Sequence, residues 1–380
     1  MATAGVRAWD LCESAGEGLP TPCRVLRCPT AYRAAIVPAL DGIALPLHVV
    51  ERPDHLLLAG PAAALRELAD RLPPPAGPAL GATLEAYAAP PRPLRFADGG
   101  SLDLSGAALV MGIVNVTPDS FSDGGRFSDP GAAVEQAARM ADQGAALVDV
   151  GGESSRPGAA PVSEDEEIAR VVPVVRRLRT ELPALRISVD TRHGSVARRA
   201  LEAGADMIND ISALADPDLA QAVAEFGCPV VLMHMRGEPA SMQADTRYDD
   251  LLQEIFDHLV ERSSRARESG IEDDRILVDP GVGFGKSVEG NEEILRRLGS
   301  FRSLGFPLLV GVSRKMFIGY RSGVEVPAER LAGSLAAATA AVLAGARIIR
   351  AHDVAATRQA LAVLEPLQPW PPRSAGERSQ

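Results

Sequence analysis

Aromatic side chains are scarce. Phe, Tyr and Trp together make up 4% of the 380 residues, so Ala, Leu and Val must carry the packing. Cysteine is scarcer, with only Cys12, Cys23, Cys28 and Cys228. Four thiols in a chain this long give no disulfide framework. Three of them fall early, but no further close ligands stand beside them to make a metal cluster. Reduced thiols in a cytoplasmic protein are the expectation. Basic charge is also short: 39 Lys and Arg face 50 Asp and Glu, a net charge of −11. This balance argues against a nucleic-acid partner, which needs a basic face, while leaving room for a local pocket that takes an anionic substrate. The N-terminus shows no basic stretch followed by an apolar core, so no secretory signal is expected. The longest run of small apolar residues, Ala332–Ala346, is too short and too rich in Ala to span a bilayer, so no membrane partner is expected.

What the chain does have is repetition. Eight apolar runs, 108–116, 146–152, 186–191, 207–212, 229–234, 275–281, 307–313 and 347–353, are rich in Val, Ile and Leu and too short for helices. Their continuous apolar character suits parallel strands buried on both faces. Longer stretches with helical spacing lie between them. Strand and helix repeated eight times predict a (β/α)₈ barrel, whose active site sits at the C-terminal ends of the strands. Those ends carry Asn115, Glu153, Asp190, Asn209, His234, Asp279, Ser313 with Arg314 and Lys315, and Arg350 with His352. A barrel that only had to fold would not place such groups at every rim position.

The barrel is assigned to residues 96–366. Before it, residues 1–95 read as a small α+β extension of unassigned role, with strands at Ala35–Val37, Leu45–Val50 and Leu56–Ala59 and a helix at Ala62–Leu72. Pro73–Pro75, Pro78 and the run Pro90–Pro93 read as a linker. Residues 367–380 read as a disordered tail. Inside the barrel, Asp129-Pro130 starts one helix, at Ala132–Gln143, and Ser163 to Glu166 reads as a capping box before Ile168–Leu182. A long helix is expected at Tyr248–Glu268. Gly144, Gly204, Gly270 and Gly345 each follow a helical run, where a C-terminal cap wants Gly.

Two rim loops are suited to close over a ligand or hold an anion. The first is Asn115–Gly125, polar with two Gly at its end. The second, Gly151–Gly158, sets two hydroxyls beside an arginine in a Gly-rich turn. Asp190 and Asp279 close buried strands, where a carboxylate is costly unless paired. With Asn209 they fit a flat, nitrogen-rich ring. Arg314, Lys315 and Arg350 add three cations, which suggests a phosphorylated substrate. Gly283–Ser287 imitates the end of a nucleotide-binding P-loop, but the required earlier Gly is Pro280, so no nucleotide site is assigned.

Asn115–Gly125, Gly151–Gly158, Ser188–Thr191, Ile208–Ile211, Met233–Met235, Asp279–Lys286, Ser313–Lys315 and Arg350–Asp353 together closely resemble the dihydropteroate synthase family, in order and at all eight rims. The resemblance covers residues 107–365. It implies condensation of 6-hydroxymethyl-7,8-dihydropterin pyrophosphate with 4-aminobenzoate in folate biosynthesis, with Mg²⁺ present. It implies a pterin pocket of Asp190, Asn209, Ile211, Met233, Asp279, Phe284, Gly311 and Lys315. It implies pyrophosphate contacts from Asn115, Arg350, His352 and the second loop, with Asn115 near the Mg²⁺. It implies that Phe121, Arg156, Pro157 and Ser313 shape the 4-aminobenzoate site. Ser155 stands where the family often has Thr, and the hydroxyl is kept.

A methyltetrahydrofolate–corrinoid methyltransferase should lack the first loop and the rim cations, which are present here. A non-catalytic pterin-binding protein should have lost a rim residue, and none is lost. The helix around Leu331–Ala346 has no charge from Ala332 onward, so its outer face, read as including Ala337 and Ala341, is expected to be covered in a homodimer. Dimerisation through the late helices is also what the resemblance implies.

Overall fold

The computed structural model describes residues 6–10, 23–43, 45–116, 130–154, 158 and 161–367. Eight parallel strands close into a barrel: β7 (Leu109–Asn115), β8 (Leu147–Gly151), β9 (Arg186–Asp190), β10 (Met207–Asp210), β11 (Val230–Met233), β12 (Ile276–Asp279), β13 (Leu308–Gly311) and β14 (Ala346–Ala351), with β14 pairing back onto β7. Around them run α4 (Pro130–Asp142), α5 (Glu164–Glu181), α6 (Gly194–Glu202), α7 (Pro217–Phe226), α8 (Leu251–Glu268), α9 (Val288–Arg296), α10 (Met316–Ser322), α11 (Leu331–Leu343) and α12 (Val354–Leu364). The expected (β/α)₈ barrel is the observed fold.

Local chemistry explains the helix bounds. Ser163 caps α5 by accepting from the Glu166 amide at 3.3 Å, and four acidic residues fill that first turn, where the helix dipole favours them. Asp216 and Asp250 cap α7 and α8 in the same way. Pro130 is the first residue of α4, while Asp129 lies outside the described residues. At the other ends Gly204 and Gly345 take φ of 106° and 110°, a left-handed conformation that a side chain would resist.

Two readings of the extension are overturned, the strand expected at Leu45–Val50 begins only at His48, and the strands at Arg7–Asp10 and Cys23–Pro29 were not read from the sequence. Ala35–Val37, expected as a strand, lies inside α1 (Arg33–Ala39). Tyr32 and Ile36 are buried one turn apart while Val37 is exposed, so the burial period is helical. The Pro-rich stretch is not a linker throughout, because α3 (Ala76–Ala88) occupies its middle. Pro78 is the third residue of that helix, where a missing N–H removes no intrahelical bond. The strands β1 (Arg7–Asp10), β2 (Cys23–Pro29), β3 (His48–Glu51) and β4 (His55–Pro61) form an antiparallel sheet in the order β1-β2-β4-β3. Together with α2 (Ala62–Arg71) and α3 the sheet encloses its own core of Leu26, Ile36, Leu58, Leu68, Leu80 and Leu84.

A short hairpin, β5 (Leu94–Arg95) with β6 (Ser101–Leu102), seals the barrel floor. Leu94, Phe96 and Leu104 join Met111, Leu147, Met207, Val231, Leu277, Leu309 and Ile348 in one buried layer. Arg347 is buried with them and donates to the carbonyls of Leu104, at 2.7 Å, and Gly106. The barrel unit therefore begins with the hairpin at Leu94, and a boundary at residue 95 or 96 cuts through it. The extension docks outside. β1 and α3 lie against the turn Leu298–Leu304, Arg302 donates to the Tyr87 carbonyl at 2.6 Å, and Arg27 pairs with Asp250 at 3.1 Å.

None of these docking groups belongs to the eight strand ends. A truncated protein spanning residues 93–367 should keep its turnover within about threefold. Its melting temperature should fall by about 2–4 °C or more, the shift that roughly 1 kcal/mol gives a unit of this size. Steady-state rates and a thermal melt check both, and a folded but inactive truncation would refute the expectation.

Candidate active site

The strand register brings the rim residues together. Asn115 pairs with Gly151, Gly151 with Asp190, and Asp190 with Asn209, so four neighbouring strands end at one level. On the far side Gly311 pairs with Arg350, and Met233 with Asp279.

At the centre is a residue that the sequence reading passed over. Asp149, in the middle of β8, is fully buried. Its Oδ2 accepts from Asn209 Nδ2 at 2.9 Å and from Arg350 Nε at 2.6 Å. Arg350 Nη2 then donates to Asp190 Oδ2 at 2.7 Å. A buried charge needs such partners. The signal was available, because Asp149 is a lone carboxylate in the apolar run Leu147–Gly151. Two residues before Gly151, it shares a face with that rim position.

Charge is held here against solvation. Burial pushes the Asp190 carboxyl up to about 7, with Asp149 and Asp210 adding repulsion and with Arg350 and Lys315 only partly offsetting it. Burial also raises Asp279 to about 6, although the Gly281 amide donates to its Oδ1 at 2.7 Å. Lys315 is pulled down to about 8, first by burial and then by Arg350, against the attraction of Asp279 and Asp190. Titration points displaced toward neutrality by desolvation and a named charge partner mark a functional site.

Lys315 sits with its ammonium 3.9 Å from the centroid of the Phe284 ring, a cation–π contact. Gly283 makes this possible, since a Cβ there would fall 2.9 Å from Lys315 Cδ. Ile211, Met233 and Phe284, all expected in the pocket, form one apolar cluster with Met242, which the sequence reading did not single out. Among the described residues, an added Cβ at Gly311 would meet nothing closer than Arg350 Cβ at 3.8 Å. Protein packing does not demand glycine there, so the space beside Arg350 is available to a ligand. Ser313 Oγ lies 3.0 Å from His352 Nδ1 and accepts from the His352 amide at 3.2 Å.

Three rim residues prove to be structural. Arg314, counted as a rim cation, makes a bidentate pair with Asp353 at 2.7 and 3.1 Å. Its φ of 60° turns the chain so that Lys315 enters the site. His234 is buried against Tyr248 and His258, and burial with Lys286 beside it drives its titration far down. Lys286, the lysine of the P-loop look-alike, is fully buried. Its Nζ stands 2.9 Å from the carbonyls of His234, Gly281 and Phe284 and from His234 Nδ1. It clamps the loop after β12 and is spent on the protein itself. Phe121, Ser155, Arg156 and Pro157 lie outside the described residues.

A parallel barrel whose rim joins buried carboxylates, an amide, an apolar slot and cations is a pterin-binding enzyme, and comparison with known proteins agrees. The family model for pterin binding enzymes matches residues 111–352. The dihydropteroate synthase of Escherichia coli (strain K12) is 49% identical over 270 residues, 71% of this chain and 95% of that protein. The Xanthomonas albilineans dihydropteroate synthase solved with 4-aminobenzoic acid is 48% identical, with a TM-score of 0.69 over 74% of this chain and 100% of that one. The Yersinia pestis dihydropteroate synthase solved with a sulfonamide drug is 45% identical, with a TM-score of 0.69 over 72% and 98%. The chain belongs to the dihydropteroate synthases, transferases of the pterin-binding enzyme family.

Replacing Asp149 by Ala should lower kcat/KM about tenfold to a hundredfold, because Arg350 and Asn209 lose their common acceptor. Steady-state kinetics on a variant with an unchanged circular dichroism spectrum checks this. A rate equal to the parent's would show that Arg350 needs no anchor.

Proposed function

We propose that this chain joins 6-hydroxymethyl-7,8-dihydropterin pyrophosphate to 4-aminobenzoate, yielding 7,8-dihydropteroate and pyrophosphate in the cytoplasm, and that the rim residues divide the work. The observation that carries the reading is the Asn209–Asp149–Arg350–Asp190 network beside Lys315 and Phe284. It sets carboxylates for a nitrogen-rich ring against cations for a diphosphate. Asp190, Asp279 and Asn209 take the ring's N–H and carbonyl groups, and Ile211, Met233 and Phe284 pack its faces. Gly311 leaves it room, and Lys315 binds at its edge.

Arg350, His352, Asn115 and Ser155 hold the pyrophosphate. The C–O bond to pyrophosphate breaks and its electron pair leaves with the phosphate oxygen. Positive charge then spreads from the exocyclic CH₂ into the pterin ring, where Asp190 and Asp279 stabilise it electrostatically. The arylamine nitrogen of 4-aminobenzoate, positioned by Phe121, Arg156, Pro157 and Ser313, attacks that carbon and releases its proton to water. The two rim loops exclude water from the cation while it lasts.

Mg²⁺ belongs to the same reading. The donor set fits it: at the end of β7, Asn115 offers one hard amide oxygen, and Mg²⁺ favours few protein ligands alongside substrate phosphates and water. When bound, the ion would neutralise the leaving pyrophosphate.

A pyrophosphate-release assay with both substrates tests the activity, and release that does not depend on 4-aminobenzoate would overturn it. Replacing Asp190 by Asn should cut kcat about a hundredfold or more. The pH profile follows from the raised carboxyls. Both act as carboxylates, so kcat/KM should decline as pH drops below about 7 and again below about 6. In Asp190→Asn only the lower of the two steps should remain. An acid limb that does not change in that variant would remove Asp190 from the site.

We also assign a homodimer through α10–α12. Met316, Tyr320, Val326, Leu331, Leu343 and Val363 are all exposed there, an apolar patch of the kind that marks an interface. On α11 the outward positions are Ala332, Ala336, Ala340 and Leu343. Ala337 and Ala341 face inward and pack in the barrel core, contrary to the sequence reading. Sedimentation equilibrium should give a dimer at micromolar concentration, and Ala336→Glu with Ala340→Glu should split it. A monomeric parent, or a dimer that ignores both charges, would refute the assignment.

A further inference from the structure

One cluster at the rim has no part in this chemistry. Glu153 lies two residues past the end of β8, Glu167 in the first turn of α5, and His193 just before α6. One potential ligand atom from each lies within 4.8 Å of the other two. Glu167 is completely buried, and among the described residues neither of its carboxylate oxygens has a hydrogen bond of good geometry, although the Thr191 hydroxyl bears on it. The Nε2 of His193 is buried and has no hydrogen-bond partner among the described residues. Two of the three groups, Glu167 and the Nε2 of His193, therefore face Glu153 across a few ångströms without a hydrogen-bond partner of their own among the described residues.

Among the described residues, no arginine or lysine pairs with Glu167. Arg192 approaches Glu153 Oε2 at 3.4 Å but commits its Nη1 to Glu238 at 2.6 Å. The other Glu153 oxygen accepts from the Val162 amide at 3.2 Å. Burial raises Glu167 to about 7, the Thr191 hydroxyl and Arg192 pull against it, and Glu153 and Asp190 add repulsion. A buried carboxylate with no cation paired to it calls for an explanation, because such groups are normally paired or coordinate a metal.

We propose that Glu153, Glu167 and His193 form a binding site for a divalent transition-metal cation of zinc's kind, at the base of the second rim loop. Two carboxylates and one imidazole are a borderline donor set, suited to Zn²⁺ or its neighbours and distinct from the all-oxygen surroundings that Mg²⁺ selects. His193 is already oriented for it. Its Nδ1 faces Glu164 Oε1 at 3.8 Å, leaving Nε2 for the metal, as ligating histidines commonly arrange their outer carboxylate. The ion would tie the start of the second loop to α5 and to the segment after Asp190. The proposal rests on these three side chains and not on the reaction assigned to the rim.

The test is isothermal titration of Zn²⁺ into the full chain without substrates, so that no pyrophosphate can carry an ion to Asn115. One Zn²⁺ per chain is expected. Glu167→Gln and His193→Ala should each weaken it about tenfold or more, while Asn115→Ala leaves it unchanged. X-ray absorption of the loaded protein should show one imidazole nitrogen among oxygen ligands, a readout independent of turnover. Circular dichroism guards against misfolding, and Glu167→Gln keeps the side chain's shape. Absence of binding at micromolar Zn²⁺ would overturn the proposal. So would binding that survives both His193→Ala and Glu167→Gln, or binding lost in Asn115→Ala instead.

Discussion

The active face hangs on one buried carboxylate. Asp149 sits inside a closed barrel, where an ion without partners would cost several kcal/mol. Its Oδ2 is met by the guanidinium of Arg350 from β14 and by the amide of Asn209 from β10. Two groups from distant parts of the chain are thereby fixed by a single oxygen. Arg350 has a second arm, which reaches Asp190 on β9. Removing Arg350 would leave two carboxylates without their cation, and removing Asp149 would leave Arg350 and Asn209 without their common acceptor, so the network is rigid for the same reason that it is costly. Preorganisation of this kind is what electrostatic stabilisation of a developing charge requires.

Around that network the loops are held by groups that never need to touch a substrate. Lys286 spends its ammonium on three carbonyls of its own and neighbouring loops, which fixes the turn carrying Phe284. Arg314 accepts a left-handed backbone and is kept there by Asp353 and by the bond from its amide to Ser334 Oγ at 2.9 Å. Strain of this kind persists only where the surroundings over-determine it. Its effect is to set Lys315 over the Phe284 ring. Cations that look alike in sequence thus divide into those that hold loops and those that face the pocket.

This division explains what could be read in advance. The eight strands were legible because a parallel strand buried on both faces must be apolar throughout, and the chain shows eight such runs. That the polar residues at the strand ends would meet at one rim was legible, because barrel topology sends those ends to one face. Asp149 escaped because it lies inside a run and not at its end. Arg314 was misjudged because its partner, Asp353, is 39 residues away in sequence. α3 was hidden by its prolines, which fall before it, in its first turn and after it. That a helix tolerates Pro in its first turn was known, but nothing local says that a helix starts there. Ala35–Val37 failed for a different reason. A three-residue apolar run fits either period, and only Tyr32 beneath Ile36 decides for the helix.

The two ends of the barrel answer to opposite demands. At the floor, Leu94, Phe96 and Leu104 fill the interior with side chains that can only pack, and even Arg347 is satisfied by main-chain carbonyls. The extension adds its contacts to the outer wall, at Ser303, Arg302 and Asp250. At the rim, Asp279 is buried and Asp190 and Lys315 are half-buried, with their titration displaced toward neutrality, a state that no stability requirement would select. Stability is thus gathered at one end and in the wall, and the other end can carry groups that destabilise the folded chain. The carboxylates at the rim are tolerable because the far end of the barrel is densely packed.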